Sequence, residues 1–175
     1  MKKFVLFFLI GILLLIAQSI WRMLFPWWRT SPEFLFILVV YSGVNRNPFI
    51  GPILAFSFGF ITDSLWGVQP GLTAAVYTLV YFLSRLSGRR FYIRSFIYQV
   101  LIVALMTLVA KGLVYFVLST LGYSDDLAPV FWSTVWRQML WNGLFAVAVV
   151  TQLERVEAKV SEDYADRFMG TFGEW

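Results

Sequence analysis

Apolar residues run along this chain in six long blocks, separated by short links rich in Pro, Gly, Asn or Arg. A helix needs about 20 apolar residues to cross the hydrocarbon core of a bilayer. The blocks at 4–25, 32–45, 50–68, 71–86, 95–121 and 129–153 are read as six helical spans, of which the second and fourth are short and extend into their flanks. The links NRNP and VQPG carry residues suited to tight turns between antiparallel helices. No internal repeat and no low-complexity tract is present.

After the sixth block the pattern changes to ERVEAKVSEDYADRFMGTFGEW, in which Val156, Val160, Tyr164, Phe168 and Phe172 recur every four residues among Glu154, Glu157, Lys159, Glu162, Asp163 and Asp166. That spacing predicts an amphipathic helix to at least Gly170, with Val156, Val160, Tyr164 and Phe168 as a contact face. Its acidic excess disfavours anionic lipid, which recruits Lys and Arg. A protein partner, packing beneath the bundle, or a solvated extension of span six are the open readings. The domain plan is thus a six-helix transmembrane domain over 1–153 and a cytoplasmic amphipathic tail over 154–175.

Composition agrees with the pattern: 59% of the 175 residues are hydrophobic, 19% aromatic and 14% charged, against about 25% charged in soluble domains. The net charge of +4 is spread over short links, without the basic patch that nucleic acid requires. Cysteine and histidine are both absent, which removes disulfides, thiolate and imidazole metal sites, and His-based triads. No cofactor or metal is expected, and no nucleophile–base pair stands out for catalysis.

Counting bases by side sets the orientation. With the N-terminus in the cytoplasm, that face receives Lys2, Lys3, Arg46, Arg85, Arg89, Arg90, Arg94, Arg155, Lys159 and Arg167, while the outer face receives Arg22 and Arg29. The opening Met1-Lys2-Lys3 and apolar run resemble a signal peptide, but the run continues to Trp28 and five more blocks follow, so an uncleaved first helix is expected. Trp27, Trp28, Trp66 and Trp132 fall near the outer boundary, where amphipathic rings anchor. The outer links FPWWRTS, VQPG and GYSDDLAP leave no room for an extramembrane domain, so partners must meet helices.

Charged residues within spans cost about 2.5 to 3.5 kcal/mol at the bilayer centre and less near an interface. Asp63, Lys111 and Arg137 require explanation, and all three lie in the outer half, as does Arg22. Asp63 to Arg137 and Asp63 to Arg22 pairs are within reach of snorkelling side chains. A polar staple within the bundle, a water-lined or partner-lined cavity, and a catalytic acid are the alternatives. Around Asp63 the segment GPILAFSFGFITDSLWG places Gly51, Ala55, Gly59, Asp63 and Gly67 four residues apart, and Pro70 and Gly71 follow in the turn above. Small residues on one strip admit a close helix neighbour, which points to span three as the central, helix-packing or partner-docking element.

The order Pro32-Glu33-Phe34-Leu35, the basic link Asn45-Arg46-Asn47, then Gly51, Phe58-Gly59-Phe60 and Asp63, then Pro70-Gly71-Leu72, resembles the rod shape-determining protein MreD family over about residues 30 to 90. The resemblance implies a multi-pass subunit of the bacterial inner membrane with a six-helix fold similar to the S-component of energy-coupling-factor transporters. It implies partners in the periplasmic scaffold MreC, the actin-like MreB filaments, and RodA with its class B transpeptidase. A non-enzymatic scaffold is the expected function. A substrate-binding subunit for a vitamin-like solute is the alternative, and an enzyme acting on a lipid-linked precursor is the third reading.

Overall fold

The computed structural model describes residues 2–25, 27, 30–44, 50–66, 69–88, 96–122 and 127–172, with side chains followed as far as Ala158 on the last helix. Every regular element among them is a helix: α1 Lys2–Leu24, α2 Phe34–Val44, α3 Ile50–Trp66, α4 Leu72–Gly88, α5 Phe96–Thr120 and α6 Leu127–Phe172. The helices alternate in direction, so that α1, α3 and α5 end, and α2, α4 and α6 begin, at one end of the bundle.

The centre of the bundle is α2. All 11 of its residues are buried, and it touches α1, α3, α4, α5 and α6. This corrects the expectation that span three holds the centre. FLFILVVYSGV is apolar nearly all round, and a helix with no polar face is stable where every face meets protein or lipid. The small strip of α3 serves a single neighbour instead. Gly51, Ala55 and Gly59 are buried along it, and a Cβ on Gly59 would collide with the Ala74 backbone of α4. Gly43 of α2 meets α4 as closely, since a Cβ there would lie 2.7 Å from the Tyr81 carbonyl oxygen. Without a hydrophobic drive between helices in lipid, such backbone approach is a main source of cohesion.

The outward faces are as greasy as the core. Leu9, Leu13 and Ile16 on α1, Ile53, Phe56 and Phe60 on α3, Leu101 and Leu105 on α5, and Leu140 and Leu144 on α6 are all more than half exposed. Water-soluble proteins rarely present apolar surface on this scale. A lipid-facing belt accounts for it.

Of the six expected spans, α1 over Phe4–Leu24 and α5 over Ile97–Thr120 are long and apolar enough to cross a membrane by length and composition. The others fall short for identifiable reasons. α2 does not face lipid at all, so bilayer thickness does not set its length, while α3 and α4 have 17 residues each. In α6 the residues Arg137, Gln138 and Asn142 interrupt the apolar run.

α6 carries span six and the expected tail in a single helix. Its 46 residues run unbroken from Leu127 to Phe172, about 69 Å at about 1.5 Å per residue. Span six and the tail are one rod. Val156 on it is half-buried, and Tyr41 at the far end of α2 donates a 2.8 Å hydrogen bond to Glu157. The side chains of Val160, Tyr164 and Phe168, the rest of the expected contact face, lie outside the described residues, as does Gly67.

Candidate functional site

The turn between α3 and α4 explains why an acid sits in an apolar helix. Gly71 adopts φ +86°, a conformation that L side chains rarely adopt, so the residue preceding α4 is one with no side chain to cap it. The first amides of a helix need acceptors. Asp63 provides them from across the turn: its two carboxylate oxygens accept the N–H groups of Thr73 at 3.0 Å and Ala74 at 3.1 Å. Asp63 is 8% exposed, and both of its oxygens are committed to α4.

The expected ion pairs of Asp63 with Arg22 or Arg137 are therefore replaced by a helix N-terminus, which also carries partial positive charge. Arg137 is exposed on α6, turned away from the bundle. Arg22 donates from Nε to the Ser31 hydroxyl at 2.9 Å and lies 4.5 Å from the centroid of the Trp66 ring. Lys111 pairs with Glu33, Nζ to Oε1 at 2.7 Å, with both side chains largely buried.

The start of α2 is built like the start of α4. Glu33 contributes its carbonyl oxygen to the Ile37 N–H at 3.2 Å, while its own N–H donates to Asn142 Oδ1 at 2.9 Å. Asn142, fully buried, donates in turn to the Thr107 hydroxyl at 3.1 Å. One turn earlier on α6, Gln138 Nε2 reaches the Ser31 carbonyl oxygen at 3.3 Å. Non-helical backbone at membrane depth is tolerated where protein satisfies it, and α6 does so here for the Ser31 carbonyl and the Glu33 N–H.

These groups surround a cavity of about 240 Å³ between the ends of α1 and α3, the starts of α2 and α4, and the middle of α5. Arg22, Glu33, Asp63 and Lys111 all line it, with Thr62, Gln69, Thr73 and Tyr77, and Leu72, Val76, Ala110, Val114 and Leu118 form its apolar wall. Three of the four charged residues singled out in the sequence thus meet at one site, and Arg137 does not join them. The glycine strip stands apart from the cavity. It packs α3 on α4, whereas a Cβ added to Gly71 would meet nothing within 4 Å, so Gly71 acts through its conformation; Pro70 is an exposed turn residue.

Glu33, Gln138, Asn142 and Thr107 escape the sequence reading. Glu33 lies at the edge of an apolar block, where a charge needs no explanation, and uncharged polar residues in spans are read as incidental. The spacing of Gln138 and Asn142, four apart on α6, is the one signal that places both on the same face.

The model describing the rod shape-determining protein MreD family matches residues 2–156. The chain belongs to the MreD family. The match extends past the motif-bearing segment through α5 and the bundle part of α6, and ends beside Glu157, where α6 is tied to α2. No curated protein and no solved structure is similar enough to match. As an MreD family member the chain is a membrane component of rod-shape determination, and the lipid-like belt around the bundle agrees with that setting. Within this MreD site Thr62 donates to the Phe58 carbonyl oxygen at 2.8 Å, and its hydroxyl is also hydrogen-bonded to the Tyr77 side chain of α4. The polar groups hold the bundle end together in the first instance: Asp63 satisfies the start of α4, Asn142 that of α2, and Lys111 and Glu33 satisfy one another.

Proposed function

We propose that the chain is a non-enzymatic scaffold of the bacterial cell-elongation complex, crossing the inner membrane six times with both termini in the cytoplasm. Its helices dock the transmembrane helix of MreC and the RodA–transpeptidase pair, and its cytoplasmic face communicates with MreB filaments. The observation that carries the reading is the continuous apolar exterior of α1, α3, α5 and α6, combined with membership of a shape-determination family. The outer links are short and leave little surface on that side of the bilayer, so a helix laid along an exterior face is the large interface on offer there.

The docking face belongs to that exterior and not to the glycine strip. Gly59 faces Ala74 of α4 in the same chain, which supports helix packing over partner docking, the two roles that the sequence leaves open for the strip. Photo-crosslinking groups at Leu13 on α1, Phe56 on α3, Leu105 on α5 and Leu144 on α6 test the proposal in native membranes. Crosslinks to one bitopic protein from one or two adjacent faces are expected. Crosslinks to lipid alone from all four positions would sink the docking reading.

The cavity favours a second reading, a substrate-binding subunit of a small-solute transporter with the S-component fold. Against it, Asp63 and Glu33 are already engaged by α4 and Lys111, which leaves the two carboxylates little capacity to accept from a vitamin-like solute. A defined solute purifying with the protein in stoichiometric amount would reverse the preference.

A further inference from the structure

The cavity at the α2/α4 end has a charge balance that its lining residues alone conceal. Formally it holds two cations and two anions. Asp63 spends both oxygens on the first amides of α4, and Glu33 is matched by Lys111 at 2.7 Å. Arg22 is left over. Its Nε is taken by Ser31 and its face by Trp66, while its two terminal nitrogens meet no acceptor among the described residues. Lys111 makes one hydrogen bond there and has donors in reserve. The surplus is therefore positive charge and N–H donors, which suits an acceptor-rich anion.

Size and surroundings narrow the ligand further. A space of about 240 Å³ holds roughly eight waters at about 30 Å³ each, enough for a phosphate with a small substituent and less than a drug-sized ligand needs. One wall is apolar, formed by Leu72, Val76, Val114 and Leu118. Trp66, 39% exposed, and Trp27, 80% exposed, flank this end of the bundle, as tryptophans do at the level of lipid headgroups.

We propose that this cavity is an anion-binding site that takes a phosphate-type group through Arg22, with Lys111 as the second donor. The group is supplied either by the headgroup of a membrane lipid or by a free phosphate compound. Guanidinium is suited to the task because its paired terminal nitrogens match two oxygens of one phosphate. The site is independent of which partner the exterior helices dock.

The test uses the full-length protein, stripped of lipid in a neutral detergent, and titrates it with phosphatidylglycerol, with diacylglycerol and with inorganic phosphate, reading bound species by native mass spectrometry and calorimetry. One saturable phosphatidylglycerol per chain is expected, with no saturable diacylglycerol. Arg22→Gln should weaken binding at least tenfold, Arg22→Lys should weaken it by less because it keeps the charge but loses the paired nitrogens, and Arg137→Gln should leave it unchanged. Val114→Phe, which fills the cavity without touching a charge, should also abolish binding and covers the case in which Arg22→Gln fails to fold. Phosphate that displaces the lipid identifies a free anion as a competent source, and lipid that resists displacement identifies the headgroup. Equal binding of phosphatidylglycerol and diacylglycerol, or undiminished binding by Arg22→Gln or Val114→Phe protein of native helicity, would overturn the proposal.

Discussion

The carboxylate of Asp63 on α3 and the amide of Ala74 on α4 are 3.1 Å apart, so an acid near the end of one helix caps the start of the next. The arrangement follows from Gly71, which must turn the chain and has no side chain to offer. Losing a capping side chain costs about 0.5 to 2 kcal/mol, and a carboxylate beside a helix N-terminus adds about 0.3 to 1 kcal/mol. Asp63→Ala should therefore lower stability in detergent by about 1 to 3 kcal/mol, with Asp63→Asn losing less because it keeps one acceptor. Thermal unfolding followed by circular dichroism measures both.

The same geometry separates Asp63 from Arg137. Arg137→Gln should be nearly silent, and its effect should add to that of Asp63→Ala within about 0.5 kcal/mol, as for sites with no shared partner. A coupling of about 1 kcal/mol or more would restore the ion pair that the structure replaces with a helix start.

Glu33 and Lys111 offer a stricter double-mutant cycle. Removing one partner of a buried pair costs about 3 to 5 kcal/mol, whereas replacing both with apolar or neutral groups is often neutral. The side chains of Lys111 and Glu33 are 26% and 14% exposed, so the cost falls at or below the lower end of that range. Lys111→Met should destabilise by about 2 to 3 kcal/mol, and Glu33→Gln combined with Lys111→Met should recover most of the loss. No recovery in the double variant would show that the pair matters for something other than charge balance.

Two glycines test where the backbones touch. Gly59→Ala must push α3 off Ala74 and should reduce the yield of folded protein sharply. A Cβ added to Gly112 on α5 would meet no atom within 4 Å, so Gly112→Ala should be neutral or stabilise by about 0.4 to 1 kcal/mol through the unfolded chain. Size-exclusion profiles of the two variants, expressed side by side, separate the outcomes. Loss of partner binding by Gly59→Leu would report this collapse and not a docking face.

Asn142 carries the corresponding prediction for α2. It accepts from the Glu33 N–H and donates to Thr107, so Asn142→Leu strands the Glu33 N–H, while the Thr107 hydroxyl keeps its bond to the Val103 carbonyl oxygen at 2.7 Å. Each unsatisfied buried group costs about 1 to 3 kcal/mol. Hydrogen exchange should rise at the first turn of α2 and leave α4 unchanged.

Much of this architecture is legible in the order of residues. Six apolar blocks give six helices, because a helix in lipid must satisfy its own backbone and needs a continuous apolar run to do so. The four-residue spacing of Gly51, Ala55, Gly59 and Asp63 places them on one face whatever the neighbours are, since helical periodicity is local. Pro70 and Gly71 announce the turn for the same reason. The family resemblance, too, rests on these local motifs.

What covers that face, and what Asp63 holds, depended on the tertiary structure. Charge alone recommends Arg22 or Arg137 for Asp63, but a helix N-terminus is positive without any charged residue to mark it, and it becomes a partner only once α4 is folded back on α3. The place of α2 at the centre is likewise a matter of packing: eleven buried residues look the same in sequence as eleven that face lipid. Sequence determined which segments are helical and which face of each is small, because those are properties of a few neighbouring residues; the pairing of distant groups around one cavity was decided by the fold, because it brings together residues as far apart in the chain as Glu33 and Asn142.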